Sequence, residues 1–145
     1  MLFLEVNRAL PVKIQLIQTS GKRKSAIARA TVKTGKGRVR INNVPIEIFS
    51  NNIVRTKIME PLILSGDLWK KLDMEISVRG GGYMGQAEAV RTAIARALTE
   101  FSKRSELRRK FLDYDRTMLA GDPRRKEPKK FGGKGARRRR QKSYR

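Results

Sequence analysis

Residues 74–101 read MEISVRGGGYMGQAEAVRTAIARALTEF, and the change of period inside this stretch decides the fold class. Met74, Ile76 and Val78 alternate with Glu75, Ser77 and Arg79, the two-residue period of a strand with one buried face. Gly80, Gly81, Gly82 and Gly85 then interrupt the pattern around Tyr83 and Met84. Beyond them Val90, Ile94, Ala97, Leu98 and Phe101 fall at steps of four, three, one and three, a single apolar stripe on a helix. Glu88, Arg91, Thr92, Arg96, Thr99 and Glu100 lie largely off that stripe. The alanines at 87, 89, 93, 95 and 97 favour helix and let it approach a sheet closely. Strand, glycine turn and close-packing helix together predict an α/β (α+β) domain.

Working upstream, Arg38-Val39-Arg40-Ile41-Asn42 is the clearest alternation in the chain, with arginines on one face and apolar residues on the other. Gly35-Lys36-Gly37 before it reads as a hairpin turn, since glycine takes positive φ without steric cost. Ser25 to Thr34 reads as a strand, with Ile27 and Val32 among alanines and with Arg29 and Lys33 interleaved. Ser20 to Lys24 reads as a turn carrying Lys22, Arg23 and Lys24 at its tip. Val12 to Thr19 alternates as a further strand, with Val12, Ile14 and Leu16 on one face and Ile17 on the other. The expectation is an antiparallel meander with one apolar and one cationic face. Pro11 sets residues 1–13 apart as an N-terminal extension.

Between Ile46 and Leu64 the positions Ile53, Ile58, Met59, Leu62 and Ile63 recur at helical spacing, so a helix interrupted or kinked near Pro61 is expected. Leu68 to Lys71 reads as a short turn that buries Trp69. A further, arginine-rich helix is expected from about Ser105 to Asp113. Periodicity fades beyond Asp115, and Gly121-Asp122-Pro123 marks the exit from the domain. The organisation read from the sequence is an extension over 1–13, a globular domain over 14–120 and an extended basic tail over 121–145. No internal repeat is seen.

Charge narrows the function. Thirty-five Lys and Arg oppose thirteen Asp and Glu, a net charge of +22. Residues 121–145 hold twelve of these cations and two of the acids, so the body is strongly basic as well as the tail. Such a balance favours a polyanionic partner over a neutral enzyme with a basic tag. The chain has no cysteine and no histidine. Disulfides, thiolate nucleophiles, cysteine metal sites and the commonest general base are thereby removed. The apolar start Met1-Leu2-Phe3-Leu4 is interrupted by Glu5, and is read as neither a signal peptide nor a membrane span. The carboxylates form no motif spaced for metal or acid/base chemistry, and Asp113 and Asp115 read as a local salt bridge or helix cap.

The last fifteen residues carry no acidic group and little that could form a core. Burial there cannot offset the entropy of ordering the backbone, so a polyanionic partner must give the segment its shape. Arginine forks suit phosphate, and Tyr144 suits stacking on a base. The candidate phosphate contacts are Lys22, Arg23, Lys24, Arg29, Arg38, Arg40, Lys129, Lys130, Lys134, Arg137, Arg138, Arg139 and Arg140. Gly82 joins them through free backbone N–H groups at a helix start. Gly80, Gly82 and Gly85 also match the spacing of a dinucleotide fingerprint, but no convincing strand follows the helix, and a tight turn with close helix packing explains the glycines equally well.

Gly21-Lys22-Arg23-Lys24-Ser25-Ala26-Ile27-Ala28-Arg29, the GGGYMGQA run at 80–87, Ala95-Arg96-Ala97-Leu98 and the ending Gln141-Lys142-Ser143-Tyr144-Arg145 together resemble small-subunit ribosomal protein nine, in collinear order over about residues 14–145. The Ser-Tyr-Arg ending resembles the archaeal and eukaryotic branch, and the absence of the longer eukaryotic framing points to the archaeal side. Members of this branch commonly interrupt the arginine run, whereas Arg137 to Arg140 is unbroken. Residues 1–13 stand outside the resemblance.

The resemblance implies a fold like the second domain of ribosomal protein five, an antiparallel-rich sheet packed by helices with a left-handed βαβ crossover. It implies a cytoplasmic, ribosomal location, with the domain on rRNA in the small-subunit head beside neighbouring head proteins. It also implies that the tail threads toward the decoding region, where Lys142, Tyr144 and Arg145 reach the anticodon stem-loop of peptidyl-site tRNA. No catalytic residue, cofactor, metal, membrane or small-molecule substrate is expected. The rival readings are a free-standing, chromatin-like nucleic-acid-binding module and an RNA-acting or dinucleotide-dependent enzyme.

Overall fold

The structure, a computed structural model, describes residues 16–49 and 51–144. The strand-to-helix unit of the opening stretch is its centre. Strand β5 (Leu72–Arg79) buries Leu72, Met74, Ile76 and Val78 in strict alternation, and helix α2 (Tyr83–Ser102) follows after Gly80 to Gly82. Strands β1 (Ile17–Arg23) and β2 (Ala26–Thr34) form an antiparallel hairpin, and β3 (Val39–Ile41) and β4 (Val44–Pro45) form a second. Helix α1 (Asn52–Leu64) precedes β5, and α3 (Ser105–Tyr114) and α4 (Thr117–Ala120) follow α2. Helices cover one face of the sheet, and α2 lies centrally against β1 and β2.

The sheet order is β1-β2-β5-β3-β4, which corrects the expected meander. Strand β2 pairs antiparallel with β5 rather than with β3, and β3 lies parallel to β5 on its other side. The physical reason is the segment between β2 and β3. Instead of closing a hairpin it wraps the start of β5: the Gly35 amide donates to the Lys71 carbonyl (2.8 Å), and the Asp73 carboxylate accepts from the amides of Lys36 (2.9 Å) and Arg38 (3.1 Å). These amides, Arg38 first and then Lys36, hold the Asp73 carboxyl below its ordinary pKa. The parallel pair β3 and β5 is joined through β4 and α1, a βαβ connection.

Two further local readings change. Asn42, which ends the clearest alternation in the sequence, and Asn43 both take positive φ and close a two-residue hairpin. The Asn42 side chain continues the sheet by donating to the Val78 carbonyl (3.1 Å) and accepting from its amide (2.9 Å). Helix α1 runs unbroken through Pro61, capped at its start by the Asn51 side chain, which accepts from Ile53 and Val54. Helix α3 matches its expected span to within a residue, α4 adds the fully buried Met118, and Trp69 is only half-buried.

The apolar faces of β1 and β2 are also reassigned. Leu16 is exposed and Ile17 buried, so the face of Ile17 is the inner one; Val12 and Ile14 lie outside the described residues. On β2 it is Ala26, Ala28, Ala30 and Val32 that point inward, while Ile27 faces out. Small side chains belong here because α2 rides directly on this hairpin. A Cβ on Gly21 would lie 2.0 Å from the Ala89 carbonyl oxygen and 2.7 Å from the Ala93 amide nitrogen. The Thr19 hydroxyl donates to the Ala93 carbonyl (2.8 Å), tying strand to helix at the same place.

Candidate nucleic-acid interface

The face of the sheet that α2 leaves uncovered is built by alternation: if Ala28, Ala30, Ile76 and Val78 point inward, their neighbours must point out. Register sets Ser20, Arg29 and Ser77 in one row, and Gln18, Thr31, Glu75 and Arg40 in another. Lys22 and Arg79 flank Ile27 at one end, and Lys33 stands opposite Asp73 at the other. Arg29 and Arg40, both expected from the sequence, therefore share one surface, joined by Arg79, which the sequence reading does not single out. Arg38, also expected, sits beside Lys33 and Arg40 at its margin. A cationic, largely polar sheet face can spread across several phosphates without reading a sequence.

Lys22, Arg23 and Lys24 do not act as one cluster. The β1 ladder continues through Arg23, and the turn falls at Lys24 and Ser25, so alternation sends Lys22 and Arg23 to opposite sides. Lys22 and Lys24 are exposed. The Arg23 guanidinium is instead held between Glu88 of α2 and Asp122 (2.8 Å), and its side chain is only 15% exposed. Asp122 also accepts a two-pronged contact from Arg124 (2.6 and 3.0 Å) and the Arg124 amide (2.9 Å). The Arg124 bonds, with Arg23 adding its charge, hold the Asp122 carboxyl far below the usual carboxylate range. Arg23 thus joins hairpin, helix and the root of the C-terminal segment, a bridge reinforced by β-type pairing of Arg23 with Asp122.

Arg96, which lies off the helix stripe, serves the same junction. It donates to the carbonyls of Ser20 (2.7 Å), Leu119 (2.9 Å) and Ala120 (3.2 Å), meeting acceptors that the end of short helix α4 leaves open. Asp115 accepts from the Thr117 amide (2.8 Å), and its ion pair is not local but reaches Arg91 of α2 (2.8 Å). The other carboxylate on Arg91 is Glu60 of α1 (2.6 Å), and Arg91 is itself buried. Among the described residues no three carboxylates group as a metal site.

The glycine loop divides its roles. Gly80 and Gly81 have positive φ, and a Cβ on Gly80 would meet the Ser25 carbonyl oxygen at 2.5 Å. Close packing against the β1–β2 turn explains both. Gly82 is different: its backbone is extended, no side chain caps α2 there, and a Cβ would meet nothing within 4 Å.

Beyond the Asp122 bridge, residues 123–144 contain no regular strand or helix. Among the described residues, every hydrogen bond and ion pair of 124–144 stays within 122–144. Glu127 binds Arg137 (2.9 Å) and Lys130 (3.0 Å), which lower its pKa, and Arg139 donates to the Phe131 carbonyl (2.6 Å). Lys129, Lys134, Arg138, Arg140 and Lys142 point to solvent without a carboxylate partner among the described residues. Phe131 is 93% exposed and Tyr144 89%, so both rings have free faces for stacking. Arg145 lies outside the described residues.

The model of the family described as ribosomal protein S9/S16 matches residues 21–145. Curated relatives agree along nearly their whole lengths. The small ribosomal subunit protein uS9 of Desulfurococcus amylolyticus is 56% identical over 140 residues, 97% of this chain and 100% of the relative. The uS9 proteins of Methanothrix thermoacetophila and Thermoplasma acidophilum are 52% and 54% identical over 91% and 88% of the chain, and over 100% and 98% of their own lengths. The first of these alignments takes in most of residues 1–13, which corrects their reading as a segment without counterpart. With domain, basic faces and C-terminal segment all inside these matches, the chain belongs to the ribosomal protein S9/S16 family, in its archaeal branch.

Proposed function

We propose that the chain is a structural constituent of the small ribosomal subunit, working in the cytoplasm. Its domain rests on small-subunit rRNA in the subunit head beside neighbouring head proteins, and residues 121–145 form a tail that reaches peptidyl-site tRNA. One observation supports this reading above the rest: the core is complete without the surplus cations, which stand on the open sheet face and along 123–144 with few carboxylates near them. A surface so charged repels itself, and phosphate relieves that repulsion while releasing counterions.

In this reading Arg29, Arg38, Arg40, Lys22 and Lys24 neutralise phosphates at the domain, and the Gly82 backbone amide is open to one more. Lys129, Lys130, Lys134 and Arg137 to Arg140 do so along the tail. Lys142, Tyr144 and Arg145 meet the anticodon stem-loop, within reach because fifteen extended residues span on the order of 50 Å. Arg23 takes part by aiming the root of the tail. The role is structural, with no catalytic step. In cell lysate the chain is expected to sediment with the small subunit at low and at high salt; recovery mainly outside ribosomes would favour a free-standing nucleic-acid-binding module.

Two variants separate domain from tail. Deleting Gln141 to Arg145 is expected to leave folding and subunit incorporation nearly intact while weakening tRNA retention at the peptidyl site; failure to enter subunits overturns the division of labour. Replacing Arg137 to Arg140 by glutamine is expected to flatten the salt dependence of rRNA fragment binding. Each lost contact should remove about 0.7 to 0.9 from the slope of log affinity against log salt. An unchanged slope excludes those side chains as phosphate contacts.

A further inference from the structure

We infer that the cleft at the root of the C-terminal segment is a preformed docking site for RNA backbone phosphate, with Arg116 and Arg125 as its principal ligands. The inference rests on the ribosomal reading above and names residues that neither the sequence pattern nor that reading singles out. The cleft has a volume of about 510 Å³ and lies between the β1–β2 turn, α4 and the chain just past it. Lys22 and Lys24 of the hairpin, Arg96 of α2, Arg116 and Arg125 are among the lining residues.

Three observations converge. First, Lys22, Lys24, Arg116 and Arg125 are all exposed, and none pairs with a carboxylate among the described residues. Arg23, Arg91 and Arg137, by contrast, each lie beside a carboxylate. Second, the one carboxylate on the cleft, Asp122, is already taken by Arg124 and Arg23, so it subtracts little from the field inside. Third, the walls are braced from within. The Arg23 bridge holds the chain at Asp122 against the hairpin, and Arg96 fastens α4 to the end of the Ser20 carbonyl. Convergent, unneutralised cations in a concave site focus the field on a polyanion, and braced walls lower the cost of ordering when it binds.

The test uses the full chain and a fluorescently labelled single-stranded RNA of twenty nucleotides, with a hairpin RNA of equal length as a second arm. Binding is measured from low to high salt for the unaltered protein, for Arg116→Gln with Arg125→Gln, and for Arg137 to Arg140 replaced by glutamine. Both cleft side chains are exposed, so the melting temperature of the double variant should not move. Its slope of log affinity against log salt is expected to fall by about 1.4 on single-stranded RNA, two contacts at about 0.7 each.

If the tail variant flattens the slope and the cleft variant does not, the cleft inference is wrong and the ribosomal reading stands. If neither variant changes the slope, both fail. Loss on the single strand alone assigns the site to unpaired RNA, and loss on both arms to backbone phosphates in general. Should the double variant melt early, Lys24→Gln with Arg125→Gln decides the matter, with the same expected loss. Retention of the slope in Arg116→Lys with Arg125→Lys is required, since a phosphate site of this kind needs charge before geometry.

Discussion

Replacing Gly21 by alanine is expected to cost about 3 kcal/mol or more of folding free energy, the upper end of what overpacking a core costs. The added methyl would sit 2.0 Å from the Ala89 carbonyl oxygen and 2.7 Å from the Ala93 nitrogen, and both are backbone atoms of α2 that cannot swing aside. Relief requires hairpin and helix to separate along their length, which loosens the packing of Ala28, Ala30 and Ala93 and strains the Thr19 bond to Ala93. Urea denaturation of the two proteins measures the effect, with Gly82→Ala as the control. A Cβ at Gly82 meets nothing within 4 Å, so that variant should stay within about 0.5 kcal/mol of the parent. A small loss at Gly21 would mean that α2 does not lie so close to β1.

Arg91→Ala is expected to cost about 3 kcal/mol, the lower part of the range for stranding partners of a buried ion pair. The guanidinium spans two carboxylates, Glu60 through Nε (2.6 Å) and Asp115 through a terminal nitrogen (2.8 Å), and so joins α1, α2 and the start of α4. A lysine carries the charge without the fork, and Arg91→Lys should recover only part of the loss. The pH dependence has a definite sign. Burial raises the Asp115 pKa, but hydrogen bonds from Thr117 and Arg91 outweigh it and leave the carboxyl below its ordinary value. Its contribution is therefore complete above the unfolded value of about 3.9 and is lost as pH falls through the lower folded value. The gap between Arg91→Ala and the parent should narrow on acidification; a constant gap would assign Arg91 to packing alone.

These two residues show where reading the chain by period reaches its limit. Gly21 looks like turn punctuation beside three cations, yet it lies inside β1 at the point of closest helix approach. A strand glycine carries that second meaning, but choosing it requires knowing what lies above the strand. Arg91 falls off the apolar stripe and so reads as solvent-facing, whereas α1 and the α3–α4 junction close over it with the matching charges. Arg23 likewise reads as one of three exposed cations, and only the return of the chain at Asp122 turns it inward. In each case the deciding partner is more than twenty residues away.

Period and composition are enough to read the elements around residues 74–101, the alternation of Arg38 and Arg40 against Val39 and Ile41, and a C-terminal segment too polar to build a core. These follow from local periodicity, which a chain carries wherever it folds. Long-range packing places β5 between β2 and β3, turns alanines rather than Ile27 toward α2, and takes Arg23 and Arg91 into the interior while Lys22, Lys24, Arg116 and Arg125 line a cleft. The period of a strand names its two faces but not its neighbours. Neighbours are chosen by contacts between distant residues, here the Asp73 carboxylate that draws the chain after β2 across β5 and the bare backbone at Gly21 that lets α2 settle on the hairpin.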